Sequence, residues 1–521
     1  MSVPKIAYLP EARDVRGAPG AAGVPGVPGV PEVSDVMQAT PLVSRQSKPH
    51  SMRTAVSTCA FRPVCCALVF ALGAAAVAGC TASAEDVRAP EDQLFFPTGL
   101  AATSDEKTLF VVNANSELRY DSGSINVIDL AVVQSVIAGW VDHPDQAKPE
   151  GCSRDLDHGE TLQCEEAMFF KKGAGVRVGN FATDLTIQDF TGNGGKTDRV
   201  FAPTRGDPSI TWADYSNGAL HCTEGTDSNA LCDDAHRLTS VLNSPDLPAV
   251  PSEPFSAFAD ATNGFAMVTH LSSGAVTLIR APADSTKVAV VDVLGGVFAA
   301  DAATGLRGAT GVAGRRPNAA GDMIYVASST ERRIQTFTVG DLDIGGGAKG
   351  AAYLLPGNYF FLSAVGLNAG DSNNSRGIQF SPTGDRLYVV NRSPPSLQIY
   401  DTSLGASGVP NNDATGASDI CREASSVAVL DPGDGERAYV TCFQDGQIYV
   451  VNPLGQSTVE DIISVGRGPF GVSAIAGKNG TDHKLLFVSN FLEDTIAVVD
   501  LSPGSLKRNR VVLRIGAPRT P

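Results

Sequence analysis

The chain beyond residue 95 is a succession of short apolar runs separated by polar, turn-forming breaks. The segment LLFVSNFLEDTIAVVDL (485–501) sets the plan: an apolar strand, a polar turn, and a second strand ending in an acid. Five counterparts repeat it: RLYVVNRSPPSLQIYDT, RAYVTCFQDGQIYVVNP, MIYVASSTERRIQTFTV, FAMVTHLSSGAVTLIRA and RVFAPTRGDPSITWADY. The first copy, TLFVVNANSELRYDSGSINVIDL, has a longer turn. The residues closing the first strand form a column of Asn113, Thr204, His270, Ser328, Asn391, Cys442 and Asn490. In six of the seven copies an apolar residue follows six positions later, at Ile210, Val276, Ile334, Leu397, Ile448 and Ile496. A Gly- or Ser-containing apolar strand precedes each copy, as in FPTGLAA and PFGVSAIAG, and breaks such as SPTGD and DPGDG supply tight turns.

Each unit is therefore a meander of three strands plus a variable fourth. Such a meander cannot bury both faces alone, and seven copies predict an all-β, seven-bladed β-propeller over 95–521. The ends must then meet. LRIGAPRTP (513–521) echoes the outer strand of the last repeat and stops where an inner strand should begin, and FFPTGLAA begins there. The expectation is closure by pairing of the C-terminal strand, about 511–515, with the first blade, as its outer strand.

The repeats resemble the YVTN family of β-propeller proteins, most closely at Tyr388–Asn391, Tyr439–Cys442 and Phe487–Asn490, while Thr204 and Ser328 depart from its Asn. The resemblance implies the fold. It implies little about activity, because the family spans adhesion, surface-layer, periplasmic binding and a few enzymatic proteins.

The front of the chain follows a different pattern. Residues 1–51 include GAPGAAGVPGVPGVP (17–31), a Pro/Gly-rich tract without a core-forming pattern, and read as a disordered extension or an untranslated upstream region. From Met52 the order is that of an export signal: Arg53 and Arg62, an apolar stretch Val64–Ala78, then Val77-Ala78-Gly79-Cys80. That ending resembles the bacterial lipobox, which implies a signal peptide over 52–79, lipid attachment at Cys80, and a tether over 80–94. Thr81 is not the Asp that retains lipoproteins in the inner membrane of well-studied bacteria. The resemblance therefore implies the outer membrane, on its periplasmic or surface face, with the membrane as a partner through the anchor.

Six cysteines remain: Cys152, Cys164, Cys222, Cys232, Cys421 and Cys442. An even number in an exported chain reads as disulfides, and neighbour pairing is the simplest of the possible connectivities. The first two pairs would staple acidic insertions, near 131–175 and 213–250. Such loops either resist fraying or present a recognition surface. None of the spacings fits zinc or haem.

Composition narrows the function. A formal net charge of −16, with a slightly basic front end, disfavours nucleic acid. Nucleophile-elbow, zinc-protease and phosphate-loop patterns are absent. At the column, Asn113, Asn391 and Asn490 read as side chains that tie the inter-strand turn, or as rim residues lining a ligand pocket. His270 could be a base or metal ligand, but it has no partner at motif spacing and reads as a surface or turn-bonded histidine. Asp189, Thr191 and Asn193 alternate as at the start of a calcium loop, without its later bidentate glutamate. The expectation is a monomeric, non-enzymatic scaffold binding a protein, glycan or envelope component, with no cofactor. The alternatives are a lactonase-type hydrolase using the central channel and a purely structural envelope protein.

Overall fold

The computed structural model describes residues 87–519 apart from 144–146, 191–196, 224–228, 242–248, 316–322, 344–348, 364–373, 455–456 and 479–481. Seven small antiparallel sheets form a seven-bladed propeller. Their inner strands are Pro97–Ala102, Thr186–Gln188, Pro254–Asp260, Ala309–Gly314, Asn374–Phe380, Ala424–Leu430 and Pro469–Ile475, for blades 1 to 7. Each inner strand packs against the next, and the last against the first, which closes the ring.

Burial explains the sequence pattern. The second strands, such as Thr108–Asn113, Phe265–His270 and Leu485–Asn490, are buried at every position. A strand sandwiched between two neighbouring blades has no wet face, so it reads as a continuous apolar run. The outer strand of blade 5, Asp413–Asp419, is mostly exposed and correspondingly polar.

Inner strands approach the axis closely, and the small residues noted in the sequence permit it. A Cβ on Gly471 would lie 1.9 Å from the Thr98 carbonyl oxygen, and one on Gly311 2.4 Å from that of Arg376. The same irregularity recurs at the start of six inner strands: the register slips between Pro97 and Leu100, Pro254 and Ala257, Ala309 and Val312, Ser375 and Ile378, Ala424 and Val427, and Pro469 and Val472. Two residues per blade thereby leave the ladder and turn toward the channel mouth.

The C-terminal strand, Arg510–Ile515, differs from the expectation in detail. It is the outer strand of blade 7, antiparallel to Thr495–Asp500, whereas the outer strand of blade 1 is Val176–Val178. The reason is proximity in sequence: a short turn delivers the strand to the free edge of its own third strand. Its far edge pairs in parallel with Leu162–Cys164, which belongs to the insertion between the third and fourth strands of blade 1. The ends are therefore tied through that insertion.

The insertion also holds the helix Leu130–Ile137, capped by the Asp129 side chain accepting from the Ala131 N–H. Helix, insertion and strands of blades 1 and 7 share one core, including Leu109, Val133, Trp140, Leu162, Phe487 and Leu513.

The three disulfides are Cys152–Cys164, Cys222–Cys232 and Cys421–Cys442. The first closes the hairpin that extends blade 7. The second holds a loop whose backbone bonds the outer strand of blade 1, Arg177 N to Ala230 O at 2.8 Å and Cys232 N to Arg177 O at 3.1 Å. Asn229 of that loop also fixes the segment before blade 1, accepting at its carbonyl from Arg88 (2.6 Å) and donating to Ala89 O (3.0 Å). Both stapled insertions thus serve as clasps. Among the described residues, no helix is long and apolar enough to cross a membrane.

Candidate functional site: the channel mouth

The column residues sit where each second strand ends beside the start of its inner strand, and all seven are fully buried. Asn113 accepts from Phe95 N (3.1 Å) and donates to Ser124 Oγ (3.0 Å). Asn490 donates to Val465 O (2.9 Å) and Thr495 Oγ1 (3.1 Å). Asn391 accepts from Ser375 Oγ (2.5 Å) and donates to Ser396 Oγ (3.2 Å). Each side chain ties the entering chain or the following turn to its blade. At blade 6 a covalent bond performs the same task, Cys442 joining Cys421 just ahead of the inner strand.

His270 is buried, with Nε2 2.8 Å from Thr277 Oγ1. Burial pushes its pKa down to about 4, against the Ser252 and Pro251 carbonyls that raise it, so the ring is neutral. It is neither at the surface nor on the channel wall. Asp189 lies beside Asp198, whose pKa is pushed up to about 7 by burial and by that neighbour. Thr191 and Asn193 lie outside the described residues, as does Cys80. Among the described residues, no group of three or more His, Cys, Asp or Glu side chains is arranged to hold a metal ion.

The mouth of the channel is built one position beyond the column and on the bulged residues. A cavity of about 290 Å³ opens there, lined by Thr98, Thr183, Asp184, Arg205, Phe255, Ser256, Leu271, Arg376, Arg392, Ser425 and Phe470 among others. It continues into the channel between the inner strands, past Asp184, Ser256, Gly377 and Ser426.

Six of the seven seams around this mouth are stapled by a hydroxyl donating to a backbone carbonyl of the next blade. In blades 1, 2 and 4 the donor is a bulge threonine: Thr98 to Ala182 O (3.0 Å), Thr183 to Phe255 O (2.7 Å) and Thr310 to Ser375 O (2.9 Å). In blades 3, 6 and 7 it comes from the second strand, one residue before the column: Thr269 to Thr310 O, Thr441 to Phe470 O (3.4 Å) and Ser489 to Thr98 O (2.9 Å). Where the second-strand position is Val112, Pro203 or Ala327, the bulge carries the threonine, so either position suffices.

Blade 5 has neither, with Arg376 at the bulge and Val390 on the second strand. Arg392, just beyond the column, substitutes for the hydroxyl. It donates to Ala424 O (3.0 Å) and Ser425 Oγ (2.9 Å) and pairs with Glu423 at 2.8 Å.

Arg376 is thereby released from seam duty and faces the mouth. Its guanidinium carbon lies 5.2 Å from the centre of the Phe255 ring. Among the described residues no carboxylate pairs with it, and its Nε has no hydrogen-bond partner. Burial and the positive charge of Arg392, opposed by the Glu423 carboxylate and aided by Arg205, bring its pKa down to about 10.

Among the described residues, the acids at the mouth are all engaged. Glu253 pairs with Arg205 and accepts from Ser272, and Glu423 holds Arg392. Asp184 accepts from Ser256 Oγ (2.7 Å), Ala257 N (3.0 Å) and Leu185 N (2.8 Å), and its enclosure raises its pKa above the carboxylate norm. The opposite side is aromatic: Phe470 lies 6.3 Å from Phe443 and 6.1 Å from Phe491, ring centre to ring centre, and Phe491 lies 5.3 Å from Phe96.

Sequence reasoning placed the column but not Arg205, Arg376 and Arg392. The available signal was the missing Ser/Thr at both staple positions of blade 5 alone.

No protein-family model matches the chain, and no curated protein matches it. Similar solved structures include a putative 6-phosphogluconolactonase from Bacteroides fragilis, 14% identical, over 72% of this chain and 86% of that one, with a TM-score of 0.42. A periplasmic gluconolactonase from Pseudomonas aeruginosa is similar at 14% identity, with the same coverages and a TM-score of 0.43. The β-propeller domain of Cps50 (Swd1) from Myceliophteria thermophila is similar at 8% identity, over 79% of this chain and 98% of that one, with a TM-score of 0.43.

Proposed function

We propose that the protein is an exported lipoprotein, made from Met52, cleaved before Cys80 and acylated there, whose YVTN-type propeller is a non-enzymatic binding scaffold at the cell envelope. The outer membrane is its site, and the channel mouth holds its ligand. Three disulfides support an oxidising compartment. The observation that carries the binding reading is the state of the mouth: among the described residues every acid there is engaged by neighbours, while the Arg376 guanidinium lines the cavity without an ion-pair partner. Such a site is furnished to hold a ligand.

A thermal-shift screen over carboxylates, phosphates, neutral sugars and short peptides tests this. At least one class should raise the melting temperature, and Leu271→Trp, which fills the mouth, should abolish the shift. Hydrolysis of δ-gluconolactone above its spontaneous rate, lost in Leu271→Trp, would overturn the non-enzymatic reading. The anchor is tested by palmitate labelling in the cell: label should be incorporated, and Cys80→Ala should remove it. Labelling that persists in that variant would contradict it.

A further inference from the structure

We infer that the mouth ligand is a monoanion: a carboxylate carrying an aromatic or apolar body, with Arg376 holding the carboxylate and Phe255 and Phe470 flanking the body. This rests on the binding reading above and narrows it. The charge of the site sets the ligand's charge. Among the described residues, Arg205 and Arg392 are each ion-paired with a glutamate, Glu253 and Glu423, whereas Arg376 has no ion-pair partner of its own. A half-buried guanidinium without an ion-pair partner is costly, and a single negative charge relieves that cost. A phosphate dianion would set a second negative charge among Glu253, Glu423 and Asp184.

Geometry favours the same class. Arg376 lies over the face of Phe255 in a cation–π arrangement, and among the described residues its Nε has no hydrogen-bond partner. The terminal amino groups of a guanidinium form a fork that meets both oxygens of a carboxylate at once. The rest of the ligand faces an apolar wall, because Phe255, Leu271 and Phe470 line the same cavity and Phe443 and Phe491 stand behind Phe470. At about 290 Å³ the cavity admits a ring and a short acid chain and excludes a folded domain. Arg376 also explains its own cost to the fold, since it occupies the bulge position at which Thr98, Thr183 and Thr310 staple seams.

The test is isothermal titration calorimetry on the full oxidised chain with phenylacetate, phenylacetamide and inorganic phosphate. Phenylacetate should bind at least ten times more tightly than its neutral amide, and phosphate should not displace it. Arg376→Gln should erase the acid-over-amide preference without lowering the melting temperature, and Arg376→Lys should restore part of it. Equal affinity for acid and amide, unchanged binding by Arg376→Gln, or displacement by phosphate at lower concentration would overturn the inference. A neutral sugar or peptide that binds and is lost in Leu271→Trp would overturn the carboxylate class while leaving the binding reading standing. Lactone turnover with no binding by any probe would overturn both.

Discussion

Two seams of the ring show how differently the same joint can be made. Between blades 7 and 1, where the chain ends meet, the joint is reinforced several times over. A shared core runs across it, and Thr161 Oγ1 donates to Val511 O at 2.7 Å. Asp494 accepts from Phe96 N (2.7 Å) and pairs with Arg119 (3.1 Å), and Arg514 pairs with Asp155 (3.0 Å). Between blades 5 and 6 the hydroxyl staple is missing at the mouth, and there Arg392 spans the gap while Arg376 lines the cavity; farther from the mouth Arg386 and Tyr388 hold Glu436 and Ser418 donates to Ser457 O. The first seam cannot rely on chain continuity and is held by redundant contacts. The second gives up a structural bond at the position where a ligand would need a charge, which is where local rules are expected to break.

The largest effect should come from removing the closure. Truncation before Arg510 strips Val512, Leu513 and Ile515 from the shared core and Val511 from the core between blades 6 and 7. At ~1.5–3 kcal/mol for each buried aliphatic side chain, the loss rivals a typical domain stability of ~5–15 kcal/mol. The truncated chain should show no cooperative melting transition; a normal one would refute closure by this strand.

Opening the Cys152–Cys164 clasp with the double Cys→Ser variant should cost ~2–4 kcal/mol in denaturant unfolding. The staples should be worth less. Ser489→Ala should cost ~1 kcal/mol, and Arg392→Ala ~1–3 kcal/mol because it also strands Glu423. Equal costs for the two would show that the arginine does no more than a hydroxyl does.

Arg376→Met separates the roles of the two seams. Removing a half-buried charge without an ion-pair partner should raise stability by ~1 kcal/mol while abolishing carboxylate binding. A loss of stability would reassign Arg376 to the seam.

The smallest effect concerns pH at the closure. Burial pushes Glu166 up to about 7, opposed by the Leu94 N–H and aided by Asp494 and Asp92. The folded state therefore holds this proton at pH values where the unfolded chain has released it. The contribution of Glu166 to stability is intact below about 4.5 and is lost as pH rises to about 7. Glu166→Gln should flatten that decline in melting temperature between those limits; an unchanged slope would show that Glu166 is not its source.

Much of the fold was legible because blade packing writes itself into the chain. A second strand buried on both faces must be apolar throughout, and a column residue tying a turn must be small and polar, hence Asn113, Thr204, Ser328, Asn391 and Asn490. Disulfide pairing was legible from neighbour spacing. Several features were not. The clasp role of Leu162–Cys164 depends on a strand at the other end of the chain, and the helix Leu130–Ile137 lies inside what reads as an insertion. The outer strand at Arg510–Ile515 was found but assigned to the first blade, because an echo of a repeat does not say which edge it joins. The mouth was missed for a related reason. Arg205 and Arg392 directly follow the column, where any polar residue is expected, and Arg376 stands out only when two positions are compared across all blades.

Crystals grown with 4-bromophenylacetate test the central claim most directly, because the anomalous signal of bromine locates the ligand independently of the protein phases. The bromine peak should fall in the mouth between Phe255 and Phe470, with the carboxylate against the Arg376 guanidinium. A fully occupied peak elsewhere on the propeller, or the same pose retained in Arg376→Gln crystals, would contradict it.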